Sequence, residues 1–395
     1  VSSAFVLAML MPGLALFYGG LVRTKNVLGT IMQSVMILSV VSLLWILFGY
    51  SLAFGPDKGG VIGGLEWVGL SGVGSEPHPV YGPTIPHQAF MLFQLMFAAI
   101  APALITGAFA ERKRFTSVVL FAALWSVFVY VPLAHWIWGG GWLAKLGALD
   151  FAGGAVIHIS SGAAALVCAI VLGKRRGYGT DYMAPHNLPM TLLGTGFLWF
   201  GWFGFNGGSA LGANGIAVSA IIATHAAAAM GAIAWCGAEW AHRGKPTVLG
   251  VASGAVAGLA TVTPAAGYIA PMSAIAIGLV AGMTCYAAIV WKGRFGYDDS
   301  LDVVGIHGVG GVIGILATGL FASKVVNPGG ADGLFFGNPG LFGIQLLVAA
   351  VTTIFSIIGT FVILKLVDSM TGLRVSSEEE ATGLDLSQHN ERAYS

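Results

Sequence analysis

The sequence contains few charged residues. Only 9% of its 395 residues are Asp, Glu, Lys or Arg, and the formal net charge is +1, whereas about 25% of the residues in a soluble domain are charged. So small a net charge offers no basic surface for nucleic acid. The sequence also lacks a glycine-rich phosphate-binding loop of the P-loop type, which argues against ATP-driven transport by this chain alone.

Cysteine is scarce as well. The three cysteines, Cys168, Cys236 and Cys285, all fall in apolar segments, where we interpret them as small core residues. Their number and spacing fit neither a disulfide framework nor a metal motif. The sequence therefore predicts no metal site and no cofactor.

Long apolar segments dominate what is present. Hydrophobic residues make up 56% of the chain, and the mean hydropathy is +0.83. Runs of about 18 to 25 apolar residues recur from end to end, a length that crosses about 30 Å of hydrocarbon. We predict an all-α polytopic membrane protein whose eleven transmembrane helices lie at residues 1–22, 27–54, 88–109, 116–136, 153–173, 188–206, 216–238, 248–266, 271–291, 303–323 and 341–367.

The basic residues predict the orientation. Most of the 18 Lys and Arg residues, including those at 112–114 and 174–176, lie in the odd-numbered connections or at the C-terminal end; Lys58, Lys145 and Lys324 do not. By the positive-inside rule, the N-terminus is then outside and the C-terminus inside. We expect a multi-pass protein of the plasma (inner) membrane. Because residue 1 is a valine and the first span begins abruptly, we also expect the start of the protein to be missing.

The first five spans and the next five predict two copies of one unit. Each copy opens with an aromatic and glycine-rich string, PGLALFYGGLVRTKN in the first and TGFLWFGWFGFNGGS in the second. Because five is an odd number, the second copy must be inverted relative to the first. The predicted parts are two five-helix repeats at 1–173 and 188–323, a cytoplasmic linker at 174–187, an outer loop and unpaired eleventh helix at 324–367, and a cytoplasmic tail at 368–395.

Two histidines lie deep inside predicted spans. His158 is preceded by Asp150 and His307 by Asp302, one such pair in each half. An ionisable side chain in the bilayer costs about 2.5 to 3.5 kcal/mol on insertion scales, so each histidine should face a protein interior or a pathway. With both aspartates at the membrane boundaries, the imidazoles would lie about 10 Å apart along the normal. Contact requires a submerged aspartate, and we expect Asp150 to be buried and held by helix-end N–H groups and hydroxyls, or neutral.

Six strings spread over nearly the whole chain form a specific combination. They are ALFYGGLVRTKNVL, GAFAERKRF, AHWIWGGGWLAKLGALDFAGG, PHNLP, GWFGFNGGSA and DVVGIHGVGG. Together they resemble the ammonium transporter family (Amt/Mep/Rh), on its bacterial Amt side. The resemblance implies a homotrimer in membrane lipid, with a narrow pore in each protomer and ammonium as the substrate, for which methylammonium is an analogue. It implies a transporter or channel, not an enzyme.

The resemblance also implies a set of pore residues. They are Trp138, Phe97, Ser209 and Asp150 for substrate recognition, Phe97, Phe205, His158, His307 and Trp202 for the gate and pore, and Phe17, Tyr18, Phe93 and Tyr130 as further vestibule or wall aromatics. Aromatic faces suit NH4+ because cation–π attraction contributes about 0.5 to 2 kcal/mol per ring. On the residues alone, simpler interpretations stay open: Trp138 as an interfacial belt residue, Phe97 as core packing, and Asp150 as a helix N-cap.

The implied mechanism is recruitment of NH4+ outside, loss of its proton near Asp150 and the phenyl gate, and passage of NH3 along the two histidines. An ammonium sensor and an Rh-type neutral gas channel are the alternatives. The last residues are polar and acidic, which by composition predicts a solvated tail. Their GLD string and residues 389–394 resemble the family's cytoplasmic C-terminal region, which implies packing beneath the trimer and docking of a PII-type signal protein.

Overall fold

The structure is a computed structural model that describes residues 1–394. Ten of its helices are long and apolar enough to cross a membrane, and an eleventh apolar helix, Val248–Val262, is shorter. In chain order they are α1 (Ser2–Leu21), α2 (Thr24–Phe54), α3 (His87–Ala108), α4 (Phe115–Lys145), α5 (Gly154–Leu172), α6 (Leu188–Gly208), α7 (Gly215–Arg243), α8 (Val248–Val262), α9 (Pro271–Phe295), α10 (Val304–Phe321) and α11 (Pro339–Thr371). The predicted multi-pass helical architecture is confirmed.

The bundle is helical, as predicted, and one connection contains short strands. The long connection between α2 and α3 folds into two small antiparallel hairpins, which are β1 (Asp57–Lys58) with β2 (Ile62–Gly63), and β3 (Pro77–His78) with β4 (Gly82–Pro86). This connection is rich in glycine and proline, which are the residues that turns between short strands require. These hairpins lie on one face of the helix bundle, here called the vestibule face.

Helices α3 and α5 are the most deeply buried of the ten long spans described. Small residues in α5, such as the string SSGAAA, allow neighbouring backbones to approach closely, as is common between membrane helices. Helix α11 packs against α4, α5 and α10 from outside. This packing places the segments that carry His158 and His307 side by side.

The opposite face, here called the basic face, carries most of the arginines. Ion pairs join its connections: Arg23 contacts Glu111 at 2.7 Å, and Arg175 contacts Asp298 at 2.9 Å. Burial raises the pKa of Glu111, but the neighbouring arginines outweigh it and hold the pKa below its usual value. The guanidinium of Arg112 is also buried there and donates to the Asp298 carbonyl at 2.6 Å.

The C-terminal segment binds to the basic face, so the composition-based prediction of a solvated tail is wrong. It contains two short helices, α12 (Ser377–Thr382) and α13 (Leu384–His389). The Lys25 ammonium donates to the Glu380 carbonyl at 2.8 Å, and the Gly29 N–H donates to the Asp385 carboxylate at 2.8 Å. The tail thus finds hydrogen-bond donors at the start of α2, which a composition count does not reveal.

Candidate functional site

A cavity of about 640 Å³ opens at the vestibule face. All four residues predicted for substrate recognition line it: Trp138, Phe97, Ser209 and Asp150. Two helices and two connections supply them: Trp138 belongs to α4 and Phe97 to α3, whereas Ser209 follows α6 and Asp150 precedes α5. The structure therefore brings together residues that are distant in the sequence.

Hydrogen bonds hold the polar groups of this cavity in place. The Trp138 indole N–H donates to the Asp150 carbonyl at 2.8 Å. The Ser209 hydroxyl donates to the Phe205 carbonyl at 2.9 Å. Because its proton is used in that bond, the Ser209 oxygen presents lone pairs and can accept a hydrogen bond from a cation.

The Asp150 carboxylate is buried and caps the beginning of α5. One oxygen accepts from the N–H groups of Gly153 and Gly154 at 2.8 and 2.6 Å, and the other accepts from Ala155 and Val156 at 2.8 and 3.2 Å. The expected donors were helix-end N–H groups and hydroxyls; the donors found are all backbone N–H groups. Such an arrangement stabilises a carboxylate by charge-assisted hydrogen bonds and by the helix dipole.

Two stacked phenyl rings close the floor of the cavity. The rings of Phe97 and Phe205 are parallel, with centroids 4.1 Å apart, and both are buried. Trp138 meets Phe97 edge-on at 6.0 Å, and Phe93 packs against Phe97 at 4.7 Å. A species that leaves the cavity toward the bundle centre must displace these rings.

The two histidines meet directly beyond the phenyl rings. The Nδ1 atoms of His158 and His307 are 3.2 Å apart, so one ring donates and the other accepts. His158 also stacks on Trp202 at 5.6 Å, and the Trp202 indole donates to Thr263 at 2.8 Å. In the part of the chain that the structure describes, nothing hydrogen-bonds to the buried Nε2 atom of His158.

Beyond His307 lies a second, much narrower cavity of about 10 Å³. It is lined by Phe17, Tyr18, Trp202 and His307, together with aliphatic residues. A space of this size holds about one water-sized molecule. Phe17 and Tyr18 therefore lie on the wall toward the basic face and not in the vestibule.

The structure does not place Tyr130 at the pore. Its ring packs edge-on against Trp45 at 6.1 Å, in an aromatic cluster within the helix core. A third intramembrane histidine, His225, also lies apart from the pore and packs against Trp199 and Phe203. An aromatic ring in a membrane helix is usually core packing, and no feature of the local sequence distinguished Tyr130 from the pore aromatics.

The aspartate matching Asp150 in the second half is Asp299 and not Asp302. Asp299 is fully buried, and its carboxylate accepts from the Val304 N–H at 2.7 Å, at the start of α10. Burial raises the pKa of Asp299 to about 6. Asp302 is partly exposed and pairs with Lys292. The spacing could have identified Asp299, because it precedes His307 by the same number of residues as Asp150 precedes His158.

Sequence reasoning missed several residues of the vestibule cavity. Tyr81, Phe90, Gln94, Phe151, Tyr268 and Asn327 also line it. Tyr268 packs edge-on against Phe151 at 5.4 Å. These residues come from helix ends and connections, where no periodic pattern marks which side chain points into a cavity.

Comparison with known proteins gives a consistent result. The chain matches the profile of the Ammonium Transporter Family over residues 1–394. It is 54% identical over 392 residues to the ammonium transporter of Bacillus subtilis (strain 168), which covers 99% of this chain and 96% of the relative. It is similar to the crystal structure of Saccharomyces cerevisiae Mep2, with a TM-score of 0.89 and 38% identity over 96% of this chain and 86% of that chain. It also resembles a protein described as a sensor Amt protein, with a TM-score of 0.87 and 30% identity over 98% of this chain and 96% of that chain.

Proposed function

Because the chain belongs to the ammonium transporter family, a family of membrane transporters and not of enzymes, we propose how it moves its substrate. NH4+ binds in the vestibule cavity, loses its proton at the phenyl gate, and crosses as NH3 along His158 and His307. The main support is the contact between these two histidines, at 3.2 Å, together with the His158 Nε2 atom, to which no residue among 1–394 hydrogen-bonds.

The vestibule cavity suits a small cation that can donate hydrogen bonds. The Trp138 ring and the edge of the phenyl gate provide cation–π attraction. The Ser209 oxygen can accept one N–H bond, since its own proton goes to the Phe205 carbonyl. Asp150 adds negative charge nearby while its oxygens stay occupied by backbone N–H groups. Potassium has a similar charge and size but no hydrogen to donate.

The gate and the narrow cavity favour a neutral species. An ion that passed between Phe97 and Phe205 would lose its hydration shell in an apolar environment, at a cost of many kcal/mol. Ammonia loses only hydrogen bonds, and the imidazole nitrogens can replace them. The narrow cavity of about 10 Å³ beyond His307 accommodates one molecule of this size at a time.

The arrangement in the membrane is part of the same proposal. The basic face lies in the cytoplasm of a cell whose plasma (inner) membrane holds the protein, because basic connections stay on that side. The two five-helix halves are inverted repeats, and three protomers form a homotrimer. The tail and the basic connections then provide a cytoplasmic surface on which a PII-type signal protein can dock.

Solid-supported-membrane electrophysiology on proteoliposomes tests the proposal with pulses of NH4+, methylammonium and K+. We expect His158→Ala and His307→Ala to lose turnover or the exclusion of K+ while remaining folded. His225→Ala is the matched control, because His225 is also intramembrane but lies away from the pore. Wild-type NH4+ currents with full exclusion of K+ in both pore variants would refute the role of the histidine pair.

The same assay separates transport from sensing. A sensor would bind NH4+, detected by quenching of tryptophan fluorescence, without a sustained current or uptake of methylammonium. We expect current and uptake from the wild-type chain at the same NH4+ concentrations that produce binding.

A further inference from the structure

Two glycines lie where the histidine-bearing helices cross. Gly162 in α5 follows His158 by one helical turn, and Gly311 in α10 follows His307 by the same number of residues. A Cβ atom on Gly162 would lie well inside 3.0 Å of the Gly308 backbone and 3.1 Å from the His307 carbonyl carbon. A Cβ atom on Gly311 would lie 2.8 Å from the Ile159 nitrogen and 3.0 Å from the His158 Cβ atom.

At each glycine, the missing side chain therefore leaves room for the backbone of the segment that carries the other histidine. The reciprocal contacts repeat a pattern that also includes Asp150 and Asp299, so that both halves read Asp, seven residues, His, three residues, Gly. Both histidines lie in π-helical turns, at Gly154–Ile159 and Val304–Val309. Such turns widen a helix locally and are frequent at functional sites.

The close crossing determines how far apart the imidazoles are. Ordinary contact between a Cβ atom and its neighbours requires at least 3.4 Å, so an alanine at position 162 would push the two backbones apart by on the order of 1 Å. The Nδ1 atoms are 3.2 Å apart, and a hydrogen bond of this kind has little room to lengthen before it is lost. The contact between the rings would then not survive.

We infer that Gly162 and Gly311 are positioning residues of the pore. Because each glycine lets the backbone of the other histidine-bearing helix approach closely, the two together hold His158 and His307 at hydrogen-bonding distance. The inference rests on the proposed function, because the spacing matters to transport only if the histidine pair conducts the substrate. A displacement of 1 Å in a reacting group can cost on the order of 100-fold in rate.

The test compares Gly162→Ala and Gly311→Ala with two alanine controls in the same electrophysiological assay. Gly308→Ala adds a Cβ atom at the same crossing, but its nearest neighbour would be the Gly162 Cα atom at an ordinary 3.4 Å. Gly343→Ala adds one in α11, where no described atom lies within 4 Å. We expect a fall of roughly 10- to 100-fold in NH4+ current per protomer for the first two variants, with measurable K+ current, and near wild-type behaviour for both controls.

The K+ current distinguishes positioning from general damage, because loss of folded protein lowers the NH4+ current without admitting K+. Wild-type NH4+ current and K+ exclusion in Gly162→Ala or Gly311→Ala would overturn the inference. If Gly162→Ala does not fold, Gly311→Ala, whose added Cβ atom makes less severe contacts, tests the inference alone. Failure of both variants to fold would overturn the inference and assign the crossing to fold stability instead. Failure of the proposed function would appear separately, as wild-type behaviour of His158→Ala and His307→Ala.

Discussion

Lys113 provides a quantitative test of the energetics of the basic face. Its side chain is 1% exposed, and its ammonium lies 4.1 Å from the ring centroid of Phe109 and 3.9 Å from that of Phe121. Within residues 1–394, its Nζ atom has no hydrogen-bond partner. Burial lowers the pKa of Lys113 from 10.5 to about 8. The two rings attract the ammonium by cation–π interaction, which contributes about 0.5 to 2 kcal/mol against the cost of burying the charge.

This pKa shift corresponds to about 3 kcal/mol of destabilisation, at about 1.4 kcal/mol per unit. Because the folded protein binds this proton less tightly than the unfolded chain, the full cost applies below pH 8. It decreases as the pH rises from 8 toward 10.5, where the unfolded lysine also becomes neutral. Replacing Lys113 by methionine, which has a similar volume, removes the charge without opening a large cavity. We therefore expect Lys113→Met to stabilise the protein at pH 7 by up to about 3 kcal/mol.

Thermal unfolding in detergent, followed by tryptophan fluorescence, measures this difference. The expected increase in Tm at pH 7 is roughly 3 to 6 °C, and it should shrink when the comparison is repeated near pH 9.5. Lys365→Met is the matched control, because Lys365 also lies near a phenyl ring, 5.6 Å from Phe361, but is exposed. We expect no appreciable change in Tm for that variant.

A Tm for Lys113→Met equal to or below that of the wild type at pH 7 would refute the reasoning. It would mean that the two aromatic rings compensate the ammonium fully. A gain that does not change with pH would also contradict it, because the stabilisation would then come from packing and not from removal of a buried charge.

Three further outcomes follow from the contacts of the site. Asp150→Asn leaves about two of four backbone N–H donors without an acceptor, at about 1 to 3 kcal/mol each. This variant should therefore abolish methylammonium uptake, whereas Asp299→Asn should retain more of the wild-type uptake. Trp138→Leu removes one ring of the vestibule and should raise the NH4+ concentration for half-maximal current by up to about 30-fold, while Trp136→Leu should not. Deletion of residues 376–395 should leave insertion intact but strongly weaken capture of a PII-type protein in a pull-down, since it removes α12 and α13; undiminished capture would assign docking to the basic connections.

The helices were predictable because the bilayer restricts their length and composition. About 20 apolar residues are needed to cross the hydrocarbon, and each backbone polar group must be satisfied within the helix. The ends of the spans were less predictable. Helix α11 continues to Thr371, beyond the predicted residue 367. Interactions with the basic face, such as a hydrogen bond of 3.1 Å between the hydroxyls of Ser117 and Thr371, extend the helix past its apolar stretch.

The aspartate of the second half shows why local proximity to a span was a poor guide. Asp302 lies closest to the start of α10, which suggested it as the partner of His307. Its backbone φ is +65° and its side chain turns to Lys292. Asp299 instead enters the core and caps the helix. Whether a side chain caps a helix depends on the backbone conformation of the residues just before the first turn, and hydropathy does not encode that conformation.

The hydrogen bonds that the Asp150 carboxylate already accepts bear on where the proton of NH4+ goes. Burial raises the pKa of the Asp150 carboxyl, whereas the four backbone N–H bonds that it accepts favour its charged form and leave little capacity for a further hydrogen-bond donor. Its negative charge can hold NH4+ in the vestibule without removing the proton. The His158 Nε2 atom, by contrast, is buried and is not hydrogen-bonded to any described residue. A proton that leaves NH4+ at the phenyl gate would therefore pass to water in the vestibule or to this imidazole. On this argument, Asp150→Glu should preserve K+ exclusion even where its misplaced carboxylate lowers the affinity for NH4+, and admission of K+ by Asp150→Glu would contradict it.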